Sequence, residues 1–528
     1  MREDRAVPRV GGYRQALALA ALLAAPALAD GLSTFRAQLW EQQLLQVPDD
    51  AEAGDSLASA LAAGDFDGDG QDDLAIGIPS EDLGAGEQAI TAAGAVVVLY
   101  GAPAGLETAG AQFWTQDTPG IADAVDDHEF FGSALATGDF DGDGRGDLAI
   151  GVPWEDDAGH SSAGAVHVLY GTPSGLAATD SQLWRQSDPE VLGEPAAHED
   201  FGTALVAGDF DGDGFDDLAI GTEADGEERL GGVNVLFGSG AGLTAVGDQY
   251  FLGSELGCAG EDTCNFGSAL AAGDFDADGF SDLAIGAPAD DFFGIEAVGS
   301  VRVLFGSDQG LTLERDLYLL GPQELGTQGR ALAAGDFDGD GDDDLAIGIP
   351  GRDVAGRAGA GAVALRLGDD GQFLDGGEWS QETPGVLGGA EPEDAFGSAL
   401  AAGDFDADGR ADLAIGVEAE GVEEPEEGAV NVLRGASVAG LTASGDQLWY
   451  ADLLPIADPS PADIGDHFGA ALAVGDFDGN GHGDLAIGVP GENLDTGGSA
   501  GAAFVLHGSL FADGFESSDT SEWSSEEP

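Results

Sequence analysis

The sequence predicts an all-β fold, a seven-bladed β-propeller of four-stranded antiparallel blades closed by an N-terminal strand. Three observations predict it. An acidic nine-residue motif, Asp-Phe-Asp-x-(Asp/Asn)-Gly-x-x-Asp, occurs seven times and always runs into Leu-Ala-Ile-Gly. The copies begin at Asp65, Asp139, Asp209, Asp274, Asp336, Asp404 and Asp476, 62 to 74 residues apart. A unit of that size cannot bury its apolar face alone, so the copies belong to one repeat domain. An aromatic-bearing segment, with Gln in four of its six copies, follows each of the first six motifs, and a Gln/aromatic segment stands once more ahead of the first.

The second copy shows the elements in order. Phe131 to Gly138 reads as a strand of small residues, and Asp139 to Asp147 turns the chain. Leu148 to Val152 is a second strand, stopped by Pro153. Gly164 to Gly171 is a third, and Gln182-Leu183-Trp184 lies in a fourth after the turn Thr172 to Leu176. Small residues on the first strand suit the crowded centre where blades converge. The fourth-strand signature recurs at Gln112-Phe113-Trp114, Gln249-Tyr250-Phe251, Leu317-Tyr318-Leu319, Glu378-Trp379 and Gln447-Leu448-Trp449. The seventh copy stops after a third strand, Ala502 to His507, while Gln38-Leu39-Trp40 precedes the first copy. The N-terminal strand is therefore expected to complete the last blade and leave no open edge.

The motif has its own chemistry. Carboxylates at positions 1, 3 and 5 converge on one point only if the backbone curls tightly. Glycine at position 6 (Gly70, Gly144, Gly214, Gly279, Gly341, Gly409, Gly481) permits that curl. A hard divalent cation with oxygen ligands suits such a site.

Net charge is −84, from 16 basic and 100 acidic residues, and every basic residue is arginine. A nucleic-acid interface needs a basic stripe, which is absent, and an anionic membrane surface would repel the chain. Arg2, Arg5, Arg9 and Arg14 precede an apolar run, Gln15 to Leu28, and a small-x-small site at Ala27-Leu28-Ala29. Residues 1–29 are therefore expected to be a signal peptide, and the protein to be secreted or at the cell surface. No later run is long enough to cross a bilayer as a helix. Export favours a Cys258–Cys264 disulfide. The propeller is expected over residues 30–510, followed by an acidic tail over 511–528, and the protein is read as a monomer.

The layout resembles the FG-GAP repeat family, the propeller at the head of integrin alpha chains. Phe-Gly stands at Phe131-Gly132, Phe201-Gly202, Phe266-Gly267, Phe396-Gly397 and Phe468-Gly469. The Gly-x-Pro part stands at Gly77-Ile78-Pro79, Gly151-Val152-Pro153, Gly286-Ala287-Pro288, Gly348-Ile349-Pro350 and Gly488-Val489-Pro490. Copies one and five carry Leu57-Ala58 and Gln328-Gly329 instead of Phe-Gly, and Glu223 and Glu418 replace proline in copies three and six. The resemblance covers roughly residues 35 to 508 and implies Ca²⁺ in each acidic loop, about seven ions.

Positions 1, 3, 5 and 9 would supply side-chain oxygens and position 7 its carbonyl. The expected ligands are Asp65, Asp67, Asp69, Gln71 and Asp73 in loop one, and Asp139, Asp141, Asp143, Arg145 and Asp147 in loop two. Loop three offers Asp209, Asp211, Asp213, Phe215 and Asp217, and loop four Asp274, Asp276, Asp278, Phe280 and Asp282. Loop five offers Asp336, Asp338, Asp340, Asp342 and Asp344, and loop six Asp404, Asp406, Asp408, Arg410 and Asp412. Loop seven offers Asp476, Asp478, Asn480, His482 and Asp484.

Arg145-Gly146-Asp147 spells an adhesion tripeptide, but Asp147 is committed to a loop. His128, His198 and His467 recur ahead of first strands, which reads as a loop habit rather than a site. No nucleophile–base order or phosphate loop stands out. The leading expectation is a calcium-binding adhesion-type module for an extracellular protein or glycan. The alternatives are an extracellular hydrolase using the propeller as scaffold, and a structural surface component. Metal loops and third-to-fourth-strand turns should share one face. The variable loops, with Trp154 and the Cys258 loop, should lie on the other and carry the ligand contacts.

Overall fold

Each acidic motif reverses the chain between a short strand of small residues and a fully buried one. In blade two these strands are Ala134–Gly138 and Asp147–Val152, followed by Ala165–Tyr170 and Ala177–Trp184. This computed structural model describes residues 31–45, 52, 54–84, 89–193, 195–223, 230–258, 264–291, 297–321, 326–421, 427–454, 465–492 and 499–509. The expected signal peptide and C-terminal tail lie outside the described residues. Seven four-stranded sheets form, each antiparallel throughout. First strands of successive blades face one another around the axis, and that of the first blade faces that of the last.

The ring closes as the sequence predicts. Gly31–Glu41 pairs antiparallel with Ala502–Ser509 and supplies the outer strand of blade seven. Where the fourth-strand signature carries glutamine, that side chain joins neighbouring blades. Gln112 Nε2 donates to Leu176 O in the next blade at 3.0 Å, and Gln182 Nε2 to Leu243 O at 3.0 Å. Gln38 repeats this across the closure, donating from Nε2 to Leu106 O at 2.8 Å and accepting from Leu106 N at 3.0 Å.

Packing between blades fixes two other sequence features. Phenylalanine at motif position 2 is fully buried in all seven copies. Phe405 packs with Leu485 and Phe504 of the following blade, and Phe477 with Leu74 and Leu99 of blade one. Burying such a ring contributes roughly 1.5–3 kcal/mol and anchors each loop at its base. The glycine that ends Leu-Ala-Ile-Gly allows a close approach: a Cβ on Gly77 would stand 2.2 Å from Gly132 O, and one on Gly488 2.2 Å from Ala58 O.

One boundary differs from expectation. The first strand of blade two starts at Ala134, not Phe131. Phe131 instead makes a single parallel bridge to Gly94 of the preceding blade, and Gly132 turns the chain at φ +92°. The Phe-Gly pair is thus a stitch between blades. Blade six alone extends its strand back to Phe396, across a register shift before Leu400.

Candidate metal centres

Glycine at position 6 adopts φ between +85° and +104° in all seven loops, with no atom near a would-be Cβ. Conformation alone demands glycine here. The curl it permits wraps backbone donors around position 1. Asp65 Oδ1 accepts from Gly68 N at 2.7 Å and Asp69 N at 3.0 Å, and Oδ2 from Gly70 N at 2.9 Å. Position 9 is pinned twice: Asp73 Oδ2 accepts from Phe66 N and Oδ1 from Gly101 N, both at 2.8 Å.

These constraints gather three carboxylates. Ligand oxygens of Asp65, Asp67 and Asp73 lie within 4.8 Å of one another. So do those of Asp139, Asp141 and Asp147, of Asp209, Asp211 and Asp217, and of Asp274, Asp276 and Asp282. Position 5 stands outside these triads; its Oδ1 in loop one accepts from Gln71 N at 3.0 Å. Burial pushes the position-9 carboxyl up to about 8 in Asp73, Asp147, Asp217 and Asp282, with repulsion from positions 1 and 3 adding to it. Hydrogen bonds from the backbone oppose that rise.

The donor set fits a hard dication. Asp276 and Asp478 each hold a buried Oδ1 with no hydrogen-bond partner, within an all-oxygen loop. Loops are also tied edge to edge. Asp72 Oδ2 accepts from Asp476 N at 2.8 Å, Asp216 Oδ2 from Asp139 N at 2.8 Å, and Asp343 Oδ2 from Asp274 N at 3.0 Å. In loop seven, His507 Nδ1 lies 2.8 Å from Asp484 Oδ2, a contact between distant residues that the motif does not announce.

The sequence profile of the FG-GAP repeat matches residues 57–99, 131–169, 201–236, 266–304, 328–365, 396–433 and 468–506, one segment per blade. The chain belongs to the FG-GAP repeat family. Integrin alpha-PS2 of Drosophila melanogaster is 32% identical over 261 residues, 48% of this chain and 17% of that protein. Integrin alpha-5 of Xenopus laevis is 31% identical over 284 residues, 50% of this chain and 25% of that protein. Phosphatidylinositol-glycan-specific phospholipase D of Homo sapiens is 35% identical over 161 residues, 30% of this chain and 18% of that protein. The matches thus span a quarter or less of these relatives' own lengths. Among solved structures, a rhamnogalacturonan lyase of Bacillus licheniformis aligns with TM-score 0.40 at 12% identity, covering 85% of this chain and 71% of that one.

The opposite end of these FG-GAP blades holds a second set of buried acids that sequence reading missed. Glu129 and Glu155 are each 4% exposed and face one another, with Gln116 Nε2 donating to Glu155 Oε2 at 2.9 Å. Burial first, then repulsion from Glu129, pushes Glu155 up to about 8. Arg185 pairs with Asp123 nearby and lies 3.4 Å from Glu155 Oε1. Blade six repeats the arrangement with Asp394, Glu420 and Gln381, and burial pushes Glu420 up to about 7. Blade one repeats it with Asp55, Glu81 and Gln42, the last donating to Glu81 Oε2 at 2.7 Å. In all three blades the two acids are 26 residues apart, because strand, acidic loop and strand have constant length between them. That spacing is the signal that would have found them.

Trp154 stands on this end, 48% exposed, with Phe130 edge-on at a centroid distance of 4.6 Å. Cys258 and Cys264 form the expected disulfide on the same end. Between blades four and five a cleft of about 220 Å³ opens, lined by Leu320, Gln328, Ile349, Ala364, Arg366 and Glu378 among others. Phe131 packs on His167 in blade two and Phe468 on Phe504 in blade seven, whereas blade five has Gln328 and Ala364 in those places.

Proposed function

We propose that this protein is an extracellular propeller, stabilised by calcium, that binds a protein or glycan through the end opposite its acidic loops. About seven Ca²⁺ would occupy the loops, held by positions 1, 3 and 9 with position 5 and the position-7 carbonyl completing the shell. The ions serve the scaffold: they neutralise carboxylates that burial and crowding otherwise disfavour.

The observation that carries the ligand face is Trp154. A half-exposed indole braced by Phe130 is a preordered flat apolar surface among variable loops. Such a surface suits a sugar ring or the anchor of a protein partner. Integrin relatives support an adhesion-type role. The phospholipase relative is matched over 18% of its length, which supports a shared propeller rather than a shared reaction.

The test is a glycan and protein binding screen followed by Trp154→Ala. Binding is expected to fall with calcium content unchanged. Affinity that survives Trp154→Ala and loop exchange on this end, yet falls on altering Gly105 or Gly175 beside the acidic loops, would place the ligand on the other face.

A further inference from the structure

The seven loops share a motif but not an electrostatic environment. Loop one carries five carboxylates, Asp65, Asp67, Asp69, Asp72 and Asp73, and loop three matches it with Asp209, Asp211, Asp213, Asp216 and Asp217. Loop five carries a sixth, running Asp336, Asp338, Asp340, Asp342, Asp343, Asp344. No guanidinium pairs with the position-3 carboxylates of these loops among the described residues. Loops four, six and seven differ. Arg315 Nη1 lies 2.8 Å from Asp276 Oδ2, Arg434 Nη1 2.9 Å from Asp406 Oδ2, and Arg36 Nη1 3.5 Å from Asp478 Oδ2. Loop seven also has Asn480 in place of a carboxylate, and loop six carries Arg410 against Asp408.

These arginines are not a by-product of the repeat. Arg315 comes from the outer strand of blade four and Arg434 from the third strand of blade six. Arg36 comes from the N-terminal strand, at φ +63° where pairing shifts register. Three different elements thus deliver a guanidinium to the same motif position. The oxygen each takes is Oδ2. In Asp276 and Asp478, whose side chains are 4% and 7% exposed, Oδ1 is buried without a partner, and Asp276 converges with Asp274 and Asp282. The guanidinium holds the carboxylate from outside while the inner oxygen stays available to a cation.

We propose that Arg315, Arg434 and Arg36 are built-in counter-ions that divide the loops into two classes. Loops one, three and five are the strong Ca²⁺ sites; loops four, six and seven are weak sites that keep their shape between ions. Loop two, whose Arg145 meets Asp143 at position 5 and packs against Gly68 of loop one, falls between them. The inference rests on the calcium reading above and adds an order of filling to it. A fixed positive charge some 5–6 Å from a dication opposes its binding by about tenfold even at water-like screening. The same charge relieves carboxylate repulsion when the ion leaves. Blade seven, which holds the closing strand, would therefore persist at calcium levels that empty the weak loops.

Calcium titration of the intact chain, read by calorimetry and native mass spectrometry, tests this. Three ions are expected to bind at least about tenfold tighter than the last three. Arg434→Leu places there the residue that blade five carries at the matching Leu367, and should tighten one weak ion about tenfold while total uptake stays the same. Arg315→Gln, at a half-exposed position, should do so at loop four without disturbing the core. One affinity class for all ions overturns the proposal, as do unchanged or weakened affinities in both variants. A wild-type chain that takes up no calcium overturns the calcium reading itself, and this inference with it.

Discussion

The two ends of the propeller both bury carboxylates, and they stabilise them differently. At the acidic-loop end, three carboxylates of one loop bring oxygens within 4.8 Å of one another in blades one to four, as in Asp65, Asp67 and Asp73. At the other end carboxylates come in twos, and a glutamine such as Gln116 or Gln42 donates to one of them. The triad has a shape that a dication completes. The pair has too few oxygens for a cation shell; burial first, then repulsion from Glu129, pushes Glu155 up to about 8, which favours its neutral form. Burying acid is therefore common to both ends; the number and convergence of the oxygens decides whether a metal is called for.

Both ends depend on a closed ring, so the largest effect should come from opening it. Deleting residues 30–45 removes the outer strand of blade seven and the Gln38–Leu106 clasp. Aggregation through the bared edge of Ala502–Ser509 is expected, scored by light scattering. A soluble variant with an unchanged melting curve would contradict the closure.

Metal removal separates the ends. Several sites each contributing a few kcal/mol near saturation imply a fall in melting temperature of more than about 10 °C in EDTA. An unchanged melting temperature would leave the triads without a cation to explain them.

Proton removal sharpens the comparison from the other side. Glu155 is pushed up to about 8, so its folded pKa exceeds the unfolded one. Its favourable contribution is complete at low pH and is lost as pH rises towards 8. Glu155→Gln keeps the shape and removes the charge. At fixed saturating calcium, its melting temperature should gain on the wild type from pH 5 to pH 8. A gain that is flat or reversed would show that the Glu129–Glu155 pair does not hold a proton.

The smallest effect concerns the cleft in blade five. Ala364→Val partly refills the space that blades two and seven fill with rings, and should raise the melting temperature by about 1–3 °C. A loss would mean the cleft is already filled by side-chain rearrangement.

What was legible in the sequence was whatever the repeat spells out in neighbouring residues. The curl at Gly70, the strand after Asp73 and the orphan outer strand at Gln38-Leu39-Trp40 all follow from local pattern and from one missing element. Small residues from Phe131 to Gly138 read as one strand; the left-handed turn at Gly132 and the bridge from Phe131 to Gly94 of another blade are not written in them. Convergence of positions 1, 3 and 9 follows from two backbone donors on Asp73, one of them from Gly101 just past the third strand of the blade, so the motif alone ranks position 5 equally. Arg434 and Glu155 are not marked by neighbouring residues for the same reason: their partners lie 28 and 26 residues away and come together only when the strands pair, so that for Glu155 the recurring 26-residue spacing alone carries the signal.

Cations belong at one end of the propeller and not at the other. Anomalous diffraction from crystals grown in terbium, a luminescent stand-in for calcium, tests it directly. Peaks are expected inside the acidic loops, next to the position 1, 3 and 9 carboxylates such as Asp65, Asp67 and Asp73, and none at Glu129–Glu155 or Asp394–Glu420. Peaks at those pairs, or loops without peaks, would contradict it.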